Sequence, residues 1–409
     1  MIADMIDQAV VEGCTAHEAE ARAIEQIRKL GHEVLTDWAE KSELSARDQA
    51  QAKNPQLIHY GKKKTLIWHS TYGDICVGEQ RLRLGRRGPQ VRPFCDQAQV
   101  SQRGYSLPLQ RVLVDFGADD SFLQATKKVR EHYGIEVPLR AVRQHTLRHA
   151  KAIGAVKHQP SAAAKMVITG MDGSMVPIVE SGTGEDQRKG KTLLWKQANL
   201  CCARSQDSTQ CVYGATMASV KMAGLVWRTV AVGAGLVSTS SVHAVADGAD
   251  AIYNAFSEQF APWEKKAKFT VDFYHVDEHL SEAGESIAPA NKQPWLHQQQ
   301  GRLLDNKVGA VLKTLESHFE PQPEQSAPVR AAHQYIEKRK EHMDYAGAKA
   351  EGLPIGSGEI ESGHRHVIQQ RLKIAGAWWT IQNVESMLQL RTTRANNDWD
   401  RYWTQVAKN

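Results

Sequence analysis

Apolar residues recur at steps of three and four through the first fifty positions. In AEARAIEQIRKLGHEVLTDWAEK, Ile24, Ile27 and Leu30, with Val34 and Trp38 beyond, form one stripe between charged neighbours, which predicts a helical region over 1–60. Such a stripe packs on a core or on a second copy of the helix. The period then changes: LIWHSTYGDICVGEQRLRLGRRG alternates and is broken by glycines, so 61–104 is predicted as a small β-rich basic region. Helical spacing returns over 105–160 in three short segments. Ser121 is a good N-cap, Gly134 a good C-terminal stop, and Pro138 sits in the first turn of the third segment.

From 161 to 280 short apolar runs alternate with helical patterns. KMVITGMDGSMVPIVE reads as two apolar runs around Asp172-Gly173, and TLLWKQANLCCARSQD and CVYGATMAS read as further strands. WRTVAVGAGLVS is a plain apolar run. SVHAVADGADAIYNAFSEQF and KFTVDFYHVDEHLSEAG each read as a strand running into a helix. Residues 281–352 are polar, rich in Gln and Lys, and read as a helical insertion; 353–409 read as closing helices. The fold class predicted is α/β, a core interrupted by an all-α insertion and preceded by a helical region.

The chain has 409 residues, 41% hydrophobic and 24% charged, the balance of a folded protein with real cores. No apolar run approaches the roughly 18 residues of a membrane span. MIADMIDQAVVEG lacks the basic and apolar regions of a signal peptide, so a cytoplasmic location is expected. The six cysteines form no CxxC pair, which argues against a disulfide framework or zinc-ligand spacing.

Net charge is only +5, but the cations cluster in KKK at 62–64, in RLRLGRRGPQVR at 81–92 (Arg81, Arg83, Arg86, Arg87) and between Arg140 and Lys157. Clusters of this kind attract polyanions. On the third helical segment Arg140, Arg143, Gln144 and Arg148 fall on adjacent faces, and Leu139, Val142 and Leu147 are expected on the apolar face. That is the pattern of a helix-turn-helix reader of double-stranded DNA; a helical linker bundle is the plainer alternative.

Three acids stand where the strand-like runs give way: Asp172, Asp247 and Asp272. A carboxylate inside a sheet needs a partner, either a cation from the chain or a metal. Carboxylates converging from several elements make an all-oxygen site suited to Mg²⁺ or Mn²⁺. A further pair, Glu359 and Glu361, follows Gly356-Ser357-Gly358 at the start of a helical pattern. Steps of seven and eleven from Glu361 reach Ile368 and Leu372, whereas the same steps from Glu359 reach His366 and Gln370. Glu361 is therefore expected on the buried, sheet-facing side and Glu359 on the solvated side.

The Asp172-Gly173 strand, ADGAD at 246–250, VDFYHVDEHL at 271–280 and GSGEIESGHRHVIQQRLKIAGAWW at 356–379 resemble the DDE transposases of bacterial insertion sequences, in particular the Mutator-like Kra group. The resemblance spans roughly 165–400 and extends more loosely over 106–155. It implies an RNase H-like catalytic core with Asp172, Asp247 and Glu361 as catalytic and metal-binding acids, two Mg²⁺ or Mn²⁺ ions, and a helical insertion before the last acid. Asp272 and His275 form an accessory D-x-x-H element, and Asp272 is also the rival of Asp247 for second acid. The zinc-ribbon-like cysteine pairs of many relatives are missing, since Cys76 and Cys95 stand alone. The implied partners are transposon terminal inverted repeats and target DNA, bound by a homodimer or larger oligomer. Arg371 and Lys373 are expected backbone contacts; Trp378-Trp379 either stack on an unpaired base or pack on the core. Competing readings are an RNase H-like nuclease or resolvase without strand transfer, and a non-catalytic domesticated DNA-binding protein.

Overall fold

A computed structural model describes residues 2–154, 158–182, 190–321 and 327–408. Lys157, the end of the third basic stretch, lies outside the described residues. The chain divides into two compact units, Met1–Thr146 and Leu147–Asn409. No helix among the described residues is long and apolar enough to cross a membrane.

The first unit opens with α1 (Ile2–Val11) and the 38-residue α2 (Ala16–Lys53), whose start is fixed by a Thr15–Glu18 capping box. Strands β1 (Leu57–His59), β4 (Leu82–Leu84) and β5 (Gln90–Val91) form one small antiparallel sheet. Strands β2 (Lys64–Ser70), β3 (Gly73–Glu79) and β6 (Gly104–Tyr105) form another, with α3 (Pro93–Ala98) preceding β6. Leu66, Trp68, Ile75 and Val77 of the second sheet pack on Ala39 and Ala46 of α2. Three helices follow: α4 (Leu107–Asp119), α5 (Phe122–Tyr133) and α6 (Leu139–Ile153). The Ser121 side chain accepts from Gln124 N, and Gly134 ends α5 in the left-handed conformation at φ 68°. Leu109, Leu113, Ala125, Val129 and Val142 make the shared core of these helices. Close approach of α4 and α6 requires Gly117, because a Cβ there would meet Thr146 Oγ1 at 2.1 Å.

The second unit is built on a five-stranded sheet of order β11-β10-β7-β8-β9, with β7 (Met166–Glu180), β8 (Thr192–Ser205), β9 (Val212–Thr216), β10 (Ser241–Ala246) and β11 (Ala267–Val271). Strand β8 runs antiparallel to both β7 and β9; β10 is parallel to β7, and β11 parallel to β10. Contrary to the expected break, β7 passes straight through Asp172-Gly173. The Asp-Gly turn signal is overridden by a continuous ladder to β8, in which Gln197 fills the space beside Gly173 that a side chain would take.

One face of the sheet is covered by α7 (Val220–Gly233), the helix formed by the apolar WRTVAVG run, and by α8 (Asp250–Gln259). Trp227 is fully buried there and donates its indole N–H to Thr169 Oγ1 at 2.7 Å. The helices α9 (Phe273–Ile287), α10 (Lys292–Leu304), α11 (Val308–Glu316), α12 (Pro328–Arg339) and α13 (Tyr345–Ala350) follow β11. Their Leu303, Val311, Leu315, Ala332 and Ile336 join the same continuous core as Val167, Trp227 and Phe269. The other sheet face carries α14 (Gly358–Gly363), a π turn over His364–Gln369 and α16 (Ile381–Ala395), with α15 (Gln370–Leu372) after the π turn and α17 (Trp399–Val406) following α16.

Candidate active site

Strand β10 lies beside β7 with Ser241 opposite Met166 and Ala244 opposite Thr169. Carried forward three residues, that register sets Asp247, the residue after β10, level with Asp172 on β7. Both acids are half-buried. Asp247 turns the chain: its Oδ1 accepts from Ala249 N at 2.8 Å, and Gly248 follows at φ 75°. The α12 helix braces this turn, with the Tyr335 hydroxyl donating to Asp247 O at 2.5 Å and Arg339 Nε to Gly248 O at 2.7 Å.

The helix bearing the glutamates lies on the face of β7 to which Asp172 belongs. Gly170 makes the approach possible, since a Cβ there would meet Val245 O at 2.8 Å and Ile360 Cγ1 at 3.0 Å. One turn past Glu361, buried His364 brings Nε2 to 3.0 Å from Asp172 Oδ2. His364 thus ties the glutamate helix to the strand acid. Its i+3 spacing from Glu361 was the sequence signal for it, masked by the neighbouring His366 of GHRH.

The expected faces of the two glutamates are reversed. Glu361 is exposed, while Glu359 is half-buried and accepts from Arg204 Nε of β8 at 2.5 Å. The π turn is the reason. Seven residues no longer make two turns across it, so buried Ile368 and Leu372 do not carry their face back to Glu361.

Asp272 is buried and fully engaged. Its Oδ1 accepts from Tyr274 N at 2.7 Å, capping α9, and its Oδ2 accepts from Ser357 N at 2.9 Å and from the Ser357 hydroxyl. Those bonds fasten the Gly-Ser-Gly loop to the end of β11. Half-buried His275 bonds Glu278 at 3.3 Å. Burial is the largest influence on its imidazole and depresses it, but the charges of Asp272, Glu278 and Asp247 together outweigh that and raise its pKa. Among the described residues no three His, Cys, Asp or Glu side chains are already gathered as a metal site.

On α6 Arg140, Arg143, Gln144 and Arg148 are exposed, as their spacing predicts. Of the expected apolar face Val142 is buried and Leu147 half-buried, but Leu139 is exposed, and Ala141, Thr146, Ala150 and Ile153 are buried instead. Arg86 and Arg87 are exposed, whereas half-buried Arg81 and Arg83 lie 5.3 and 3.5 Å from the Tyr60 ring centre. Arg371 does not reach the surface. It is 2% exposed, with its guanidinium 4.8 Å from the Trp379 ring, so it holds the core rather than a DNA backbone. Lys373 is half-buried. The tryptophan pair divides, Trp379 buried and Trp378 exposed.

No family model matches the chain, and no curated protein matches it. Among solved structures it is similar to the Drosophila P element transposase strand transfer complex, at 10% identity over 77% of this chain and 83% of that one, with a TM-score of 0.28.

Proposed function

We propose that the chain is a DDE transposase of the bacterial insertion-sequence type, with an RNase H-like core, that binds insertion-sequence ends and catalyses metal-dependent strand cleavage and strand transfer. The observation that carries this reading is the shared level of Asp172 and Asp247 on adjacent parallel strands. The helix of Glu361 is linked to the first of them through His364. The donors suit the group implied: all three are carboxylates, the hard ligands that Mg²⁺ or Mn²⁺ prefers. Bound divalent cations supply Lewis-acid activation of the attacking oxygen and stabilisation of the leaving one. Asp172 and Asp247 present their carboxylates from the sheet and Glu361 from the helix. His364 orients Asp172, and Asp272 anchors the loop before Glu361. A π turn interrupting a helix beside these acids accords with a functional site. The attacking group is water or a DNA 3′-OH, so no side chain forms a covalent intermediate. The exposed α6 face reads the inverted repeats, with Arg86 and Arg87 on phosphates. Two ends must be joined, which calls for a dimer or larger assembly.

The test is cleavage of an end-containing duplex by Asp172→Asn, Asp247→Asn and Glu361→Gln. Each is expected to abolish Mg²⁺-dependent nicking while end binding survives; full activity in any one removes that residue from the set. A pre-cleaved end offered with target DNA separates a transposase, which joins them, from a nuclease or resolvase of the same fold, which does not.

A further inference from the structure

Beyond Asp172 the sheet narrows to a ribbon of β7 and β8. A short segment ending in Trp379 joins its free edge, parallel to β7: Ile178 faces Trp379, and Val179 N donates to Trp379 O at 2.8 Å. Since Pro177 is opposite Trp195 on β8, the three residues Trp195, Pro177 and Trp378 form one row across three strands. Side-chain alternation puts that row on the face away from buried Ile178 and Trp379. Lower down, the same face is covered by α7, which packs over Met171 and Cys201. Along the ribbon nothing among the described residues covers it. Trp378 is 65% exposed, Trp195 55%, Leu193 53% and Met175 45%.

Strands lie about 4.8 Å apart, so the two tryptophans stand roughly 10 Å from each other, with Pro177 between them. A single strand covers that distance in about three stacked nucleotides at 3.4 Å each. Among the described residues of β7 and β8 this face carries no acid; its polar members are Gln197 and Asn199, and Lys191, just before β8, brings Nζ to 5.3 Å from the Trp378 ring centre. Exposed indoles with a cation beside them and no carboxylate are the chemistry of single-stranded nucleic-acid binding. The same β7 carries Asp172 five residues earlier, roughly 17 Å along the strand on the opposite face. A strand unpaired near the acids has only to round the ribbon edge to reach the row.

We infer that this bare ribbon face is a platform on which unpaired bases of a DNA strand stack, on Trp195 and Trp378, with Lys191 meeting the phosphates. The inference rests on the DNA-processing function proposed above and names how its separated strand is held.

The test uses the full chain in EDTA, which suppresses cleavage, and the anisotropy of a fluorescein-labelled twelve-residue oligo-dT. Trp195→Ala and Trp378→Ala are each expected to weaken binding about 5- to 100-fold. Phe at either position should keep most of the affinity, while Leu, apolar but without a ring, should behave as Ala. Lys191→Gln should lower the salt slope by about 0.7. Unchanged affinity in the Ala variants overturns the inference. So does dissociation of an oligomer in the Ala variants at constant oligo-dT affinity, which would make the face a protein interface. Nicking of an end duplex in Mg²⁺ is read separately. If wild type nicks but binds oligo-dT no better than the double Ala variant, only the platform falls; if oligo-dT binding follows the rings but no metal supports nicking, only the catalytic reading falls.

Discussion

Asp272→Asn decides between the two candidates for second acid, because the structure assigns Asp272 a mechanical task. In the wild type its carboxylate accepts from Tyr274 N, Ser357 N and the Ser357 hydroxyl while 3% exposed. The amide can keep the α9 cap through one oxygen, but its NH₂ then faces the two Ser357 donors. A buried donor left unmet costs about 1–3 kcal/mol, and bonds to a charged acceptor are worth about 1.5–3. Relaxation of the Ser357 hydroxyl recovers part, leaving a loss of roughly 2–3 kcal/mol. For a unit of this size that is a fall in melting temperature of about 4–12 °C. Asp247→Asn keeps an Oδ1 to accept from Ala249 N in its single, partly exposed Asx bond and should melt within about 2 °C of wild type. Thermal unfolding followed by circular dichroism measures both, with end-duplex nicking run alongside. An Asp272→Asn protein that melts with wild type yet cannot nick would refute the assignment and make Asp272 the second acid.

Gly170→Ala should lower nicking strongly and stability by about 1–3 kcal/mol, since its Cβ would meet Val245 O at 2.8 Å and lift the helix of Glu361; urea unfolding and nicking read the two effects. Arg371→Ala should destabilise the protein without changing the salt dependence of duplex binding, whereas Arg143→Ala should reduce that slope by about 1 and leave melting unchanged. Burial, the largest influence at each, holds His243, His279 and His342 below the usual histidine pKa. These groups bind protons more readily unfolded, so the stability they confer is present above about pH 6.5 and is lost as pH falls below it. Urea midpoints at pH 7.5 and 5.5 should show the drop. His342→Phe, which keeps the contacts with Tyr253 and Phe269, should reduce it.

What the sequence disclosed was what neighbours in the chain determine. Ser121 bounds α5 through its side-chain cap and Gly134 through its left-handed backbone, and the arginines of α6 keep their face because three- and four-residue steps suffice to define it. Where a distant element decides, local reading failed in a consistent direction. Asp172-Gly173 signals a turn until β8 supplies a ladder on one side and Gln197 fills the glycine's space. Arg371 signals a phosphate contact until Trp379, brought in by the edge of β7, offers its ring. Glu359 signals a solvated cap until Arg204 arrives from β8. Each of these polar residues lies within 10 positions of Glu361 or on the strand of Asp172. Their unexpected burial is what allows the helix to lie against the sheet with His364 on Asp172 and Glu361 left exposed beside it. Buried polar groups need partners, and here the partners come from β8, β11 and the edge of β7 together. The position of Glu361 is therefore fixed by three strands at once, which is why a one-dimensional face count put it on the wrong side of the helix.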